Sequence, residues 1–287
     1  MRSLVASLRA VVAAAPVVER PRLDLSGPKL GEALEALVRG AEDDGGIERY
    51  VAALQAKRAL FREALGAGRS RHVGLATFKA LCAHVPTARR RMAAHLDAAT
   101  FPALCERVSR LLAAGDESAD DRLAAFCAAF PDDRDHRWVR DLAAELLHGV
   151  DPERYPLMTR WIWDARANTG VLRELWYGED VDHLVLDVPD SFATFVVLRE
   201  ELAQFLADNG VFRDVLDYVD LLTAQVYAGY VNERAGSYLR ADFTQPDNPL
   251  MHSRRILGLD AVDDSGRTRL KAFDGTAFVI PDAKLVS

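Results

Sequence analysis

The chain has 287 residues, of which 49% are hydrophobic and 28% charged, and its formal net charge is −7. This composition supplies enough apolar side chains for a buried core and excludes the weakly hydrophobic class of disordered proteins. The negative charge argues against a molecule that binds nucleic acid or a membrane surface over its whole face.

The N-terminal segment, residues 1–22, resembles a signal peptide only loosely. Arg2 precedes an apolar run that ends in small residues, but Arg9 interrupts the run and Pro16 follows the only plausible cleavage site. We therefore predict a first helix here instead of a secretion signal.

The cysteines and the hydropathy pattern bear on the compartment. The three cysteines are far apart and lie in apolar, helical contexts, so we expect no disulfide framework and a reducing, cytoplasmic compartment. Nowhere do 18 uncharged apolar residues follow one another, so we expect no membrane-spanning helix and no membrane partner.

A helical period dominates the chain up to residue 148. In residues 47–65 the apolar side chains return at steps of three, four and seven, which places them on one helix face, and Gly66 and Gly68 predict the end of that helix. Comparable stripes occur in residues 29–39, 73–85, 100–114, 119–130 and 137–148.

A second helical stretch runs from about residue 191 to residue 234, with a break at Asn209 and Gly210. Asp190 or Ser191 is the expected helix cap. The β-branched run before it, residues 183–189, indicates either a strand or an extended connection.

The C-terminal tail predicts a small antiparallel meander. Three alternating runs, residues 255–260, 267–273 and 277–280, are separated by acid–glycine turns, the pattern typical of hairpins. Because three short strands need a surface to lie on, we expect the meander to pack on the helices.

These elements predict a mainly α fold. We expect a multi-helix, bundle-like body, either in one lobe or in two divided near residues 149–156, with the β meander appended. The predicted regions are an N-terminal helical region (1–148), a second helical region with a Trp/Arg-rich entry (149–245) and the β tail (246–287).

Basic residues concentrate in the segment 57–91, which holds nine Lys or Arg and one acid, Glu63. This balance is typical of segments that bind nucleic acid or other anions. Two groups are candidates, one beside a glycine-rich turn and one at the start of a predicted helix: Arg69 and Arg71, and Arg89, Arg90 and Arg91. The alternative is that these cations lie on a solvated rim or contact the acidic later part of the chain.

A Trp/Arg-rich segment lies within residues 136–183, which contain all four tryptophans. Tryptophan alternating with arginine is typical of interface hot spots, because guanidinium stacks on indole. In a helix Trp161 and Trp163 would be about 200° apart, so we expect at least one to be exposed. The predicted partner-binding or ligand-binding residues are Arg160, Trp161, Trp163, Asp164, Arg166 and Arg173. The alternative is a Trp-rich layer of the core.

Catalytic and metal motifs do not match their full patterns in this sequence. Glu145 and His148 stand at i and i+3, which is half of the arrangement used in dinuclear metal bundles, but we find no second half. Nucleophile elbows and phosphate-binding loops are also missing. We therefore predict no metal and no cofactor.

The leading functional hypothesis is a non-catalytic interaction or regulatory protein that binds a protein partner through its Trp/Arg-rich face. A second hypothesis is a nucleic-acid-associated protein that binds phosphates through residues 57–91. A third is an enzyme of unfamiliar type with a pocket in residues 154–183. The sequence favours the non-catalytic role over the enzyme.

Overall fold

The computed structural model describes residues 20–42, 45–89, 91–113, 115, 117–178, 183–236, 249–261, 267–271 and 277–279. Most of these residues are helical, which confirms the mainly α prediction. The helices are α1 (Gly27–Glu42), α2 (Ile47–Leu65), α3 (Leu75–Ala83), α4 (Phe101–Leu112), α5 (Ala119–Cys127), α6 (Trp138–Val150), α7 (Val171–Leu175), α8 (Phe192–Asp208), α9 (Val215–Gly236) and α10 (Pro249–Ile256). Among these residues no helix combines the length and hydropathy that crossing a bilayer requires. The helix expected near the N-terminus lies outside the described residues.

The apolar stripes of the sequence locate the helices well. α2 begins and ends where its stripe does, and its last turn closes when the N–H of Gly66 donates to the oxygen of Arg62 at 2.9 Å. Gly68 follows with a left-handed φ of 76°, which glycine adopts at little cost. Each of the other five predicted stripes overlaps one helix among α1, α3, α4, α5 and α6.

The second helical stretch is two helices, α8 and α9, with the expected break at Asn209 and Gly210. Gly210 has a φ of 88°, a value that a residue with a side chain adopts only with strain. Ser191 stands at the N-cap of α8. The residues before it, 184–190, form an irregular connection and not a strand.

Most of the other helices pack around α6 or α9, while α3 lies against α2 and the strand Arg267–Lys271. α6 lies against α2, α4 and α5, while α9 lies against α1, α2, α7, α8 and α10. Where α6 meets α2, Gly149 leaves room for the ring of Phe61, since a Cβ there would lie only 2.6 Å from that ring. One hydrophobic core extends through the described residues from Leu30 to Ala261. The division into two lobes stays a prediction.

The prediction that residues 255–260 form the first strand of the meander is wrong. Residues 255–260 contain the end of α10 and a turn, because Gly258 adopts a left-handed φ of 70°. The N–H of Leu259 donates to the oxygen of Arg254 at 2.9 Å, and that of Gly258 to Arg255 at 3.2 Å. These two bonds form the glycine-dependent helix stop known as the Schellman motif. Beyond it, β1 (Arg267–Lys271) pairs antiparallel with β2 (Ala277–Val279).

Candidate binding cleft

The two tryptophans at the centre of the predicted binding face are buried. Trp163 is 0% exposed and Trp161 is 9% exposed, so the prediction that at least one faces solvent is wrong. The chain from 151 to 170 is made of turns and irregular backbone, so the angular spacing of a helix does not apply. The indole N–H of Trp163 donates to the oxygen of Val188 at 3.0 Å, and Trp161 packs on Tyr227. Both belong to a core layer.

The polar members of the predicted set separate into two places. Arg160, Asp164 and Arg166 line one cleft. Arg173, on α7, is not among the residues that line it and donates to the main-chain oxygen of Leu184 at 2.8 Å. Half of the predicted set is therefore brought together, without its tryptophans.

Arg89 and Arg91 contact the later part of the chain, as the alternative predicted. Arg89 is 3% exposed and forms an ion pair with Asp260 at 2.8 Å. Arg91 donates to the main-chain oxygen of Asp135 at 3.2 Å. Arg90 lies outside the described residues.

The remaining cations of segment 57–91 do not form one open stripe. Lys57 and Arg58 are each 6% exposed. Arg69 donates to two main-chain oxygens in the last turn of α2, at 2.5 and 2.7 Å, and so caps that helix. Arg71 is exposed. Much of the positive charge in this segment therefore forms ion pairs with acidic side chains of the same chain.

A cleft of about 790 Å³ lies between the end of α5, residues 130–137, the start of α6 and the turn at 160–167. We call it the arginine cleft. Its charged lining residues are Asp132, Asp133, Arg134, Arg137, Arg140, Arg160, Asp164, Arg166 and Asp190. Phe130, Pro131 and Val139 are among its apolar lining residues.

Asp164 organises one wall of the arginine cleft. Its side chain is 6% exposed, and one carboxylate oxygen accepts a bond from Arg137 at 2.9 Å. The other accepts from the N–H of Ala167 at 3.0 Å, and the backbone of Asp164 pairs with Thr169 across the same turn. Asp164 therefore fixes the turn that carries Arg166.

Two further aspartates fix the backbone and the arginines on the inner side of the arginine cleft. Asp190, just before α8, forms an ion pair with Arg140 at the start of α6. Asp141 accepts a bond from the backbone N–H of Arg160 at 2.9 Å and lies 3.5 Å from its guanidinium. These contacts join α6 to two irregular segments that follow it in the chain, residues 151–170 and 184–190.

The outer layer of the arginine cleft carries three arginines, Arg134, Arg137 and Arg166, beside the exposed Asp132. The side chain of Arg166 is 87% exposed, and its ion pair with Asp132 spans 3.8 Å between exposed groups. Arg134 is exposed, and within the described part of the chain its guanidinium makes no hydrogen bond or ion pair. Arg137 is 52% exposed and bonds Asp164 through one nitrogen, which leaves most of its N–H donors available.

The remaining polar groups of the arginine cleft do not form a nucleophilic pair. Burial raises the pKa of the Cys127 thiol to about 11, so it stays protonated at neutral pH and is a weak nucleophile. The side chain of His136 bonds Asp133 at 2.8 Å, and this bond is the main cause of the lowered pKa of Asp133. The hydrogen bonds of His136 and Asp133 hold these two side chains in place and do not activate a nucleophile.

Sequence reasoning missed Arg134 and Arg137 as site residues. They lie in a short charged run, residues 132–137, that matches no binding motif. A signal was present, because aspartate is a common cap. In the structure the carboxylate of Asp133 accepts the N–H groups of Asp135 and His136 and so fixes the 3-10 turn that begins at Arg134.

A second group of charged side chains lies inside the helical body, between α2, α6 and α9. Arg58 pairs with Asp217 and with Asp220, the latter at 2.6 Å. The two ring nitrogens of His148 lie 2.8 Å from Asp220 and from the main-chain oxygen of Tyr155. Burial by itself raises the pKa of Asp220, but His148 and Arg58 outweigh burial and lower it to about 2. Burial raises the pKa of Asp217.

The Glu145 and His148 pair belongs to this internal group, where protein cations and carboxylates are its partners. Lys57 lies 2.8 Å from Glu145 and donates to the oxygen of Leu257 at 2.8 Å. Within the described ranges no group of three or more His, Cys, Asp or Glu side chains could hold a metal ion. The cavity beside His148 and Asp220 measures about 20 Å³, room for about one water.

Comparison with known proteins adds no relative to this description. No protein-family model, no curated protein and no solved structure matches the chain.

Proposed function

We propose that the chain is a non-catalytic interaction or regulatory protein whose arginine cleft binds an acidic segment of a protein partner. The observation that carries this proposal is the outer set of arginines formed by Arg134, Arg137 and Arg166. The buried Asp164 binds one nitrogen of Arg137 and one backbone N–H group, which leaves most N–H donors of the three guanidinium groups available to bind an anion.

The lining of the arginine cleft favours an extended partner over a drug-sized molecule. Small-molecule pockets are mostly apolar and enclose their ligand. Here most lining residues are charged, and those on the outer wall, such as Asp132 and Arg166, are 96% and 87% exposed. Exposed charges on an open cleft suit a chain segment that passes along the surface and is attracted by charge.

Two observations weigh against the other hypotheses. The cations of 57–91 that would contact a nucleic acid include Lys57, Arg58 and Arg89, which are buried in ion pairs with the chain's own acids. The cleft contains a protonated thiol at Cys127 and a histidine, His136, bonded to Asp133, with no activated nucleophile among the described residues.

Free thiols at all three cysteines support a reducing, cytoplasmic compartment.

The test is binding of a fluorescein-labelled hexaglutamate peptide, followed by anisotropy at low salt. We expect binding that weakens as salt rises, because the contacts are exposed charge pairs. Changing Arg134→Ala or Arg166→Ala removes one exposed contact and should weaken binding about two- to five-fold in each case.

The matched control is Arg39→Ala. Arg39 lies on α1, is exposed and pairs only loosely, at 3.7 Å, with Glu35, so its loss changes net charge equally without touching the cleft. The proposal fails if the peptide does not bind at low salt, or if Arg39→Ala weakens binding as much as the cleft variants do.

A further inference from the structure

We propose that the group bound in the arginine cleft is a phosphoryl dianion, carried by a phosphorylated side chain of the partner. This inference rests on the proposed function and specifies its ligand. The phosphoryl oxygens bind Arg134, Arg137 and Arg166. The residues that flank the phosphorylated one lie against the apolar part of the cleft.

The supply of donors exceeds what one carboxylate can accept. An arginine carries five N–H donors in a planar fork, and a carboxylate offers two oxygens. Arg137 uses one nitrogen on Asp164, while the guanidinium groups of Arg134 and Arg166 have no partner within hydrogen-bond distance among the described residues. A phosphoryl group offers three oxygens and a charge between −1.5 and −2 at pH 7, which suits three cations better.

The fixed acids nearby offset part of this charge, but most of their oxygens are already engaged in hydrogen bonds. Asp164 is buried, and its two oxygens are occupied by Arg137 and Ala167. Asp133 accepts bonds from His136 and from two backbone N–H groups. Asp132 is the acid that faces the ligand most openly, since it is 96% exposed and 3.8 Å from Arg166, and a dianion would displace it from that loose pair.

One of the three cations is held in position before any ligand arrives. The bond to Asp164 fixes one side of the Arg137 guanidinium, so that little side-chain entropy is lost when its other donors engage an anion. Pro131 is exposed in the same cleft, beside the buried Phe130 and Val139, and provides an apolar contact for a residue that flanks the phosphorylated one. A free phosphate ion would use only the cationic part of this surface.

The experiment compares three labelled peptides of one sequence, with phosphoserine, glutamate or serine at the central position, in the same anisotropy assay. We expect the phosphoserine peptide to bind at least about ten-fold more tightly than the glutamate peptide, because charge-assisted bidentate bonds are stronger and more numerous. Its affinity should fall between pH 7.5 and 5.5, as the phosphoryl group with a second pKa of about 6 takes up a proton. Inorganic phosphate should compete at higher concentration.

A substitution at Arg166 separates the effect of the bidentate guanidinium geometry on binding from the effect of its positive charge. Arg166→Lys keeps the positive charge and removes the bidentate fork, so the preference for phosphoserine over glutamate should fall by about half or more. Arg39→Ala should leave that preference unchanged. Circular dichroism of each variant checks that these exposed substitutions leave the helical body intact.

The outcomes distinguish the two proposals. If the glutamate peptide binds as tightly as the phosphoserine peptide, the phosphoryl inference is overturned while the acidic-partner function stands. If inorganic phosphate binds and no peptide does, the ligand is a small phosphorylated molecule and the partner role fails together with this inference. If nothing binds, both proposals are rejected.

Discussion

Lys57 and Glu145 meet inside the helical body, with Nζ and Oε2 2.8 Å apart and neither side chain more than 7% exposed. The contact joins α2 to α6, and the second bond of Lys57, to the oxygen of Leu257, ties the chain beyond α10 to the same place. A buried ion pair loses the hydration of both charges, so its two members depend on each other.

Removing one member of this pair should destabilise the fold more than removing both. Lys57→Met or Glu145→Leu alone leaves a buried charge without its partner and should lower the free energy of unfolding by about 3–5 kcal/mol. The double variant should recover most of this loss. Urea unfolding of the four proteins measures the coupling, and additive effects of the two single changes would contradict it. Glu35→Gln, which breaks an exposed pair with Arg39, should change stability by less than about 0.5 kcal/mol.

Two glycine-to-alanine changes should act in opposite directions. At Gly149 the new Cβ would lie 2.6 Å from the Phe61 ring, so the contact between α6 and α2 must open, at a cost of about 1–3 kcal/mol. At Gly31, inside α1, a Cβ meets nothing within 4 Å, and the better helix former should add about 0.5–1 kcal/mol. Thermal unfolding compares them. A gain in stability at Gly149→Ala would show that α2 and α6 pack less closely than described.

His84 should make the protein less stable in mild acid. Burial, reinforced by the charge of Lys57, lowers its pKa from 6.5 to about 4. Above pH 6.5 the ring is neutral in both states. Between pH 6.5 and 4 the unfolded chain takes up a proton that the folded chain refuses, so the free energy of unfolding falls by roughly 3 kcal/mol.

Substitution tests this pH dependence directly. His84→Asn keeps a donor for the oxygen of Gly258, which His84 contacts at 3.2 Å, and removes the titration. Urea unfolding at several pH values should show a flatter profile for this variant between pH 6.5 and 4, while His72→Asn, at an exposed position, should follow the unmodified protein. An unchanged slope in His84→Asn would assign the acid sensitivity elsewhere.

The helices could be predicted because their determinants are local. The stripe of α2 and the glycines after it lie within about twenty consecutive residues, so periodicity and the stop signal are both visible in the sequence. Gly258 shows the limit of this reasoning. Flanked by Leu257 and Leu259, it fits a strand as well as a helix stop, and the bond between Leu259 and Arg254 decides between them.

The binding site was only partly predictable because its walls come from distant parts of the chain. The charge density around Arg160, Asp164 and Arg166 was visible, but the Arg137 that completes this wall lies 27 positions before Asp164. The prediction that Trp161 or Trp163 is exposed was wrong for the same reason. The indole N–H of Trp163 keeps a partner in the core because Val188, 25 positions later, accepts it, and no pattern near Trp163 indicates that contact.

The internal ion pairs also constrain the order in which the chain matures during synthesis. Glu145 follows Lys57 by 88 residues, and Asp220 follows Arg58 by 162. At about 5–20 residues per second, a ribosome needs roughly 8–30 s to deliver Asp220 after Arg58. Until then the cations of α2 stay in water, because burying them without partners is too costly. We expect the nascent N-terminal helices to remain loosely docked, and the body to close only when α9 leaves the exit tunnel.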